Sequence, residues 1–317
     1  MKMKNLAIIG ATGLVGNTVL KVLKEKNLLK DFNLFLIVSD KSAGKVLIFD
    51  NHHYRLLALN ESIFEFNFDF AIFSAGDEIS KKWVPLFAER GVKVIDNSSA
   101  FRLADIVPLV VPEINFKNIK NEDYIISNPN CSTIQMVLVL EKLLKVAEIK
   151  TVVVSSYQSV SGAGRDALND LICDTNIFFK KGIGENIIAQ IGNIDSNGNS
   201  TEESKMIFET QKILNKNFDV FATAVRVPIQ YCHGESVFVE FESDIELNDI
   251  KQALLCDYLV LSQEIVYPVD CAGSNLTFVY RLRKVAKNKI EFFILADNLR
   301  RGAAYNAVCI LEKLAKI

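Results

Sequence analysis

The chain predicts an α/β fold of two domains, the first built on a parallel sheet covered by helices, and three observations carry that prediction. Short β-rich runs alternate with helical segments in the N-terminal part, glycines punctuate the first strand-to-helix junction, and the pattern changes character after residue 130. At 317 residues and 50% apolar composition, the chain is long enough for about two domains, each with its own core.

In order, the pattern predicts a strand at 6–9, a helix at 15–26, a strand at 34–38, and further strands at 70–74, 92–95 and 109–111. The second block opens with an apolar helix and continues with a strand at 151–157 and a helix at 163–179. A polar Gly/Asn/Ser loop at 192–200 leads to a helix at 202–214 and strands at 220–227, 236–242, 277–282 and 290–295. This block reads as α+β with an antiparallel sheet. A final helix at 299–316 has an apolar stripe suited to packing back on the first domain, which gives a division into 1–127 with 298–317 and 128–297.

Composition excludes several classes of function. Lys and Arg total 36 against 38 Asp and Glu, so nothing marks a nucleic-acid partner, and the expected partner is a small-molecule substrate. The opening Met1-Lys-Met-Lys-Asn5 runs straight into a strand, with no signal-peptide core and no membrane span expected, which points to the cytoplasm. Six cysteines lie scattered without CxxC spacing, so neither a metal site nor a disulfide framework is expected.

After the first strand stand Gly10, Thr12, Gly13, Leu14, Val15 and Gly16, spaced so that backbone N–H groups and a helix N-terminus can meet a pyrophosphate. The second strand ends at Asp40, Lys41 and Ser42, where such folds read the adenine ribose. Asp40 would favour a 2′-hydroxyl and NAD, Lys41 and Ser42 a 2′-phosphate and NADP, and the residues leave both open. Cys131 in Asn128-Pro-Asn-Cys-Ser-Thr133 closes a turn before an apolar helix, where the helix dipole favours thiolate and N–H groups can hold an oxyanion. A buried structural cysteine has the same local pattern.

Three histidines are available as an acid or base. His52 and His53 lie in a polar stretch and are expected to face solvent; His233 lies in a loop between two strands. Arg102 and Arg226 suit a carboxylate or phosphate. Glu202 and Lys205 share a helix face, and Gln158, Ser161 and Gly162 belong to a polar, glycine-rich turn after a strand.

These residues together resemble aspartate-β-semialdehyde dehydrogenases nearly end to end. The motifs are Gly10-Ala-Thr-Gly-Leu-Val-Gly16, Lys41-Ser-Ala-Gly44, Asp96-Asn-Ser-Ser-Ala-Phe-Arg102, Val110-Val-Pro-Glu113, Asn128 to Thr133, Tyr157-Gln-Ser-Val-Ser-Gly-Ala-Gly164, Glu202 to Lys205, Arg226-Val-Pro to His233, and Asp297-Asn-Leu-Arg-Arg-Gly-Ala-Ala304. The resemblance implies a glyceraldehyde-3-phosphate-dehydrogenase-like subunit, a homodimer or homotetramer, and NADPH-dependent reductive dephosphorylation of L-aspartyl-4-phosphate. That step feeds lysine, threonine, methionine and diaminopimelate synthesis. It implies Cys131 as nucleophile, His233 as acid/base and Gln158 as the residue that orients substrate. Arg226 would bind the α-carboxylate, Glu202 the α-amino group, Arg102 and Lys205 the phosphate, with Asn130 also on the substrate. Thr12 to Val15, between Gly10 and Gly16, would meet the pyrophosphate, Lys41 and Ser42 the ribose, and Ser161, Gly162 and Asn298 the nicotinamide side.

The chain departs from the pattern at Lys41, usually arginine, at Gly234, usually serine, and at Ala189, usually proline. The first turns a bidentate phosphate clamp into a point charge and weakens the argument for NADP. Two rival readings are an N-acetyl-γ-glutamyl-phosphate reductase, whose cysteine motif carries a second glycine and an aromatic, and a silent NADP-binding sensor, which would not need Cys131, Gln158, Arg226 and His233 together.

Overall fold

Along β1 (Lys4–Ile9) the even residues Leu6 and Ile8 face one apolar cluster and the odd residues Ala7 and Ile9 another, so the strand is buried on both faces. The structure, a computed structural model, describes residues 3–317. After β1 come α1 (Leu14–Glu25), β2 (Phe32–Val38), a hairpin of β3 (Val46–Phe49) and β4 (His52–Arg55), β5 (Leu57–Ala58), β6 (Phe70–Phe73), α2 (Asp77–Ala88), β7 (Lys93–Asp96) and β8 (Ile125–Ser127). Five of these strands join β1 in a parallel sheet of order β5-β2-β1-β6-β7-β8, the doubly wound order in which the chain reverses direction beside β1.

This unit runs to Pro129 and resumes at Ala303. Between them lies a second unit, Asn130–Gly302. It contains α3 (Cys131–Leu143), β9 (Ile149–Gln158), α4 (Arg165–Cys173), α5 (Thr201–Leu214), β10 (Asp219–Arg226), β11 (His233–Phe241), α6 (Leu247–Ala253), β12 (Leu259–Leu261), α7 (Pro268–Cys271), β13 (Thr277–Ala286) and β14 (Lys289–Ala296). Its sheet runs β10-β9-β11-β14-β13-β12, and α3 packs against β9, β11, β14 and α5. Finally α8 (Tyr305–Leu314) returns to the first unit, where Ala307, Val308, Ile310 and Leu311 join the cluster beneath α1. Asn306 fixes it there by donating to Val110 O at 2.9 Å and Asn128 Oδ1 at 2.7 Å.

The structure corrects five expectations. Residues 109–111 make only a bridge at Leu109, and β8 is the sixth strand instead; Pro108 and Pro112 flank the segment and cannot donate to a ladder. The helix expected over 163–179 ends at Cys173. Asp174 takes a left-handed conformation (φ 49°), and the Asp170 carboxylate captures the N–H groups of Ile177, Phe178 and Phe179. The second sheet is mixed, because β10 pairs parallel with β9 and β12 with β13. His233 begins β11 rather than lying in a loop, since its backbone pairs with Gln158 and Ala296. The last helix starts at Tyr305, after a wide π-helical turn at Arg300–Ala304.

On the other face of the first sheet, Phe87 of α2 touches the rings of Phe64, Phe68 and Phe73 with centroids 5.0, 5.6 and 5.2 Å away. Phe87→Ala is expected to lower stability by about 3–5 kcal/mol, read as a shift of the urea unfolding midpoint with an unchanged slope.

Candidate active site

The first unit offers a dinucleotide cradle. Gly10 has φ +81°, and a Cβ there would stand 2.6 Å from Ser74 O. A Cβ on Gly16 would stand 2.3 Å from Gly10 O, so the turn tolerates no side chain at either position. No side chain caps α1 at Gly13 and no acidic residue occupies its first turn, which leaves the N–H groups of Leu14, Val15 and Gly16 to an anion. These features fit a pyrophosphate. Lys41 is exposed and Ser42 half-buried in the turn after β2, where Ser42 N donates to Ser39 O. Arg102 belongs to this unit too and is buried; its Nη2 donates to Asn97 O at 2.7 Å. Beside it Asp96 accepts from Ser80 and Ser98, and burial nevertheless holds its carboxyl above the ordinary range.

The second unit gathers the rest. Cys131 is the first residue of α3, and Asn130 caps the helix by accepting from Ser132 N and Thr133 N at 2.9 and 3.2 Å. The same side chain donates through Nδ2 to Glu202 Oε1 at 2.8 Å, while Asn130 N donates to Glu209 Oε2 at 2.6 Å. The helix carrying Cys131 is thereby tied to α5, where Lys205 Nζ stands 3.9 Å from Glu202 Oε2.

Three strands end side by side beneath it. Arg226 of β10 pairs in register with Gln158 of β9, and Gln158 with His233 of β11, so the three buried side chains share one face of the sheet. Arg226 Nη1 donates to Ser159 O at 2.7 Å. Burial lowers its pKa, while the charges of Glu202 and Cys131 act in the opposite direction and place both groups within its electrostatic reach.

His233 is fully buried, and Ser159 N donates to its Nδ1 at 3.1 Å. A backbone amide can only donate, so Nδ1 is the acceptor and the neutral ring carries its hydrogen on Nε2, an atom with no partner among the described residues. Burial first, and then Arg226, push the imidazole down to about 3, against a smaller upward pull from the Cys232 backbone. Asn298 holds the adjoining turn. Its Oδ1 accepts from Cys232 N at 3.0 Å, Ser159 Oγ at 3.1 Å and Ser161 Oγ at 3.3 Å. A Cβ on Gly162 would stand 3.0 Å from Arg226 Nη1 and 3.1 Å from His233 Nε2, so a side chain there would press on both.

Of the residues singled out from the sequence, Cys131, Asn130, Gln158, Ser161, Gly162, Glu202, Lys205, Arg226, His233 and Asn298 all fall in this unit. The glycine loop, Lys41, Ser42 and Arg102 fall in the other. Glu209, Ser159 and Gly302 also belong to this arrangement, though no motif marks them as functional. Glu209 lies two helical turns after Glu202 on the same face, a spacing that could have marked it. Gly302 packs on Cys131, where a Cβ would stand 2.8 Å from that of the cysteine, and no local signal gives that away. His52 and His53 are exposed on the β3–β4 hairpin.

The depressed His233 pKa sets a pH dependence of stability. The folded state keeps the ring neutral down to about pH 3 whereas the unfolded chain protonates it near 6.5, so stability is full above 6.5 and falls as pH drops below it. His233→Asn is expected to remove about 2 kcal/mol of the loss in unfolding free energy between about pH 7.5 and 5, measured by urea titration at both. Asn130→Ala, which strips the α3 cap, is expected to cost about 1–2 kcal/mol in the same assay.

Comparison with known proteins bears on both units. Residues 5–122 match the model of the semialdehyde dehydrogenase NAD binding domain, and residues 140–301 that of the semialdehyde dehydrogenase dimerisation domain. The chain is 43% identical to an aspartate-semialdehyde dehydrogenase of Aquifex aeolicus over 98% of both proteins. It is 39% identical to one of Bacillus subtilis, over 99% of this chain and 98% of that one. The crystal structure of aspartate semialdehyde dehydrogenase II of Vibrio cholerae complexed with ASA superposes with a TM-score of 0.93 at 38% identity, covering 100% of this chain and 99% of that one. With both units matched and relatives aligned from end to end, the chain belongs to the aspartate-semialdehyde dehydrogenase family and is an oxidoreductase with an NAD(P)-binding domain.

Proposed function

We infer that the chain reduces L-aspartyl-4-phosphate to L-aspartate 4-semialdehyde with release of phosphate, through an acyl thioester on Cys131 and with NADPH as the preferred reductant. The observation that carries the reading is the in-register row of Arg226, Gln158 and His233, with Cys131 and Glu202 both within the electrostatic reach of Arg226.

The α3 N-terminus favours the Cys131 thiolate, which attacks the acyl carbon. The Sγ–C bond forms, the bond from carbon to the phosphate oxygen breaks, and phosphate leaves with the electron pair, for which Arg102 and Lys205 supply positive charge. Arg226, one nitrogen already held by Ser159 O, offers its remaining N–H groups to the substrate α-carboxylate. Glu202 faces the α-amino group, and Asn130 and Gln158 orient the chain between. His233 acts through the hydrogen on Nε2, donating to the substrate oxygen as negative charge develops there. Gly10 to Gly16 would hold the pyrophosphate of NADPH, Ser161, Gly162 and Asn298 would serve its nicotinamide side, and the group would supply a hydride. Cys131 is released as the thiolate once the carbon–sulfur bond breaks.

Lys41 and Ser42 support NADP, since an ammonium and a hydroxyl follow β2 where a 2′-phosphate would lie. Two or four copies associate through the unit that matches the dimerisation model.

The test is phosphate-dependent oxidation of aspartate semialdehyde, followed by nicotinamide absorbance with NADP and NAD in parallel. Turnover with the wild type and none above background with Cys131→Ala is expected; no turnover with either cofactor refutes the reading. His233→Asn is expected to lower kcat by about 10²–10⁴-fold, and Lys41→Ala to lower the NADP to NAD ratio of kcat/KM about tenfold.

A further inference from the structure

β11 sends His233 and Glu235 to the same face, two residues apart, and both are fully buried. α3 lies on that face, and Gln135, one helical turn beyond Cys131, reaches the strand with Nε2 donating to His233 O at 3.1 Å. The Glu235 carboxyl interacts with the same Gln135 amide. Among the described residues Gln135 Oε1 has no donor, and beyond that Gln135 contact neither buried oxygen of Glu235 has a hydrogen-bond partner. Ser156, the cross-strand neighbour of Glu235, is already engaged, its Oγ accepting from Gln158 Nε2 at 3.2 Å. Among the described residues no charged side chain acts on the Glu235 carboxyl.

A carboxylate in that setting would be a buried charge without compensation. A carboxylic acid brings one proton, a donor for Gln135 Oε1. Burial holds the Glu235 carboxyl well above its ordinary range, against a smaller downward pull from the Gln135 side chain. The reaction proposed above assigns this group nothing to do.

Resting on that reading of Cys131 and His233, we propose that Glu235 is a positioning residue: through Gln135 it locks the helical turn that begins at Cys131 onto the strand that begins at His233. The acid O–H fixes the Gln135 amide, the amide holds the His233 carbonyl, and the thiol and imidazole keep one separation. Without the proton the Gln135 side chain loses its second anchor, and the first turn of α3 loses a tie to β11. A misplacement of about 1 Å at such a pair costs on the order of 100-fold in rate.

The test compares wild type, Glu235→Gln, Glu235→Leu and Gln135→Leu. The rate of Cys131 alkylation by iodoacetamide is followed by mass spectrometry of the Cys131 peptide from about pH 5 to about 9, alongside kcat and KM. Glu235→Gln keeps a neutral donor of the same shape, and its alkylation and kcat are expected within about threefold of wild type. Glu235→Leu and Gln135→Leu are expected to slow Cys131 alkylation about fivefold and lower kcat about tenfold, with KM within about twofold. Should Glu235→Leu fail to fold, Gln135→Leu decides by the same readings. Wild-type alkylation and kcat in a folded leucine variant, or a Glu235→Gln variant as impaired as Glu235→Leu, overturns the proposal. Alkylation reads the thiol directly, so the positioning role stands or falls separately from whether aspartate semialdehyde is turned over.

Discussion

The site depends on one constraint, the register in which β10, β9 and β11 come to an end. Arg226, Gln158 and His233 are far apart in the chain and belong to strands of both orientations, yet each is the register partner of the next. Register in a half-buried sheet is fixed by alternation, because a slip of one residue would send Val152, Val154, Val237 and Val239 to the wrong face. The core therefore sets the positions of the polar row as a by-product of its own packing. Ser159 then adds the finer adjustment, its carbonyl taking Arg226 and its amide taking the His233 ring.

That arrangement has an electrostatic consequence. A fully buried imidazole next to a buried guanidinium cannot hold a second proton near neutral pH, so His233 presents a neutral ring with its hydrogen on Nε2. Arg226 loses solvation as well, and Glu202 and Cys131 are the charges that offset it. The balance suits a ligand with a carboxylate and an amine, since each of its charges meets one of opposite sign that is already held in place. The Asn130 side chain joins the two halves of this balance by capping the cysteine helix and holding Glu202 at once.

The nucleotide end follows a different logic. There the requirement is absence: at Gly10 and Gly16 any Cβ would collide with backbone, and the first turn of α1 carries neither a capping side chain nor an acidic one. Gly162 repeats the device in the second unit, beside Arg226 and His233. Side chains absent at these points leave room, and the uncapped first turn of α1 leaves N–H groups to a ligand.

The alternating first unit, the glycine turn, the cysteine at a helix start and the return of the last helix are all legible in the chain, because each is written in local spacing or in apolar period. Glu202 and Lys205 are legible on one helix face for the same reason. Tertiary structure alone decided that His233 opens a strand, that residues 109–111 give way to β8, and that the second sheet is mixed, since strand partners are chosen by packing across long separations. It alone brought Glu209, Ser159, Gly302 and Glu235 into the picture. What those four do depends on which backbone amide, which Cβ or which buried amide lies opposite, and no spacing along a chain encodes a neighbour that only the fold supplies.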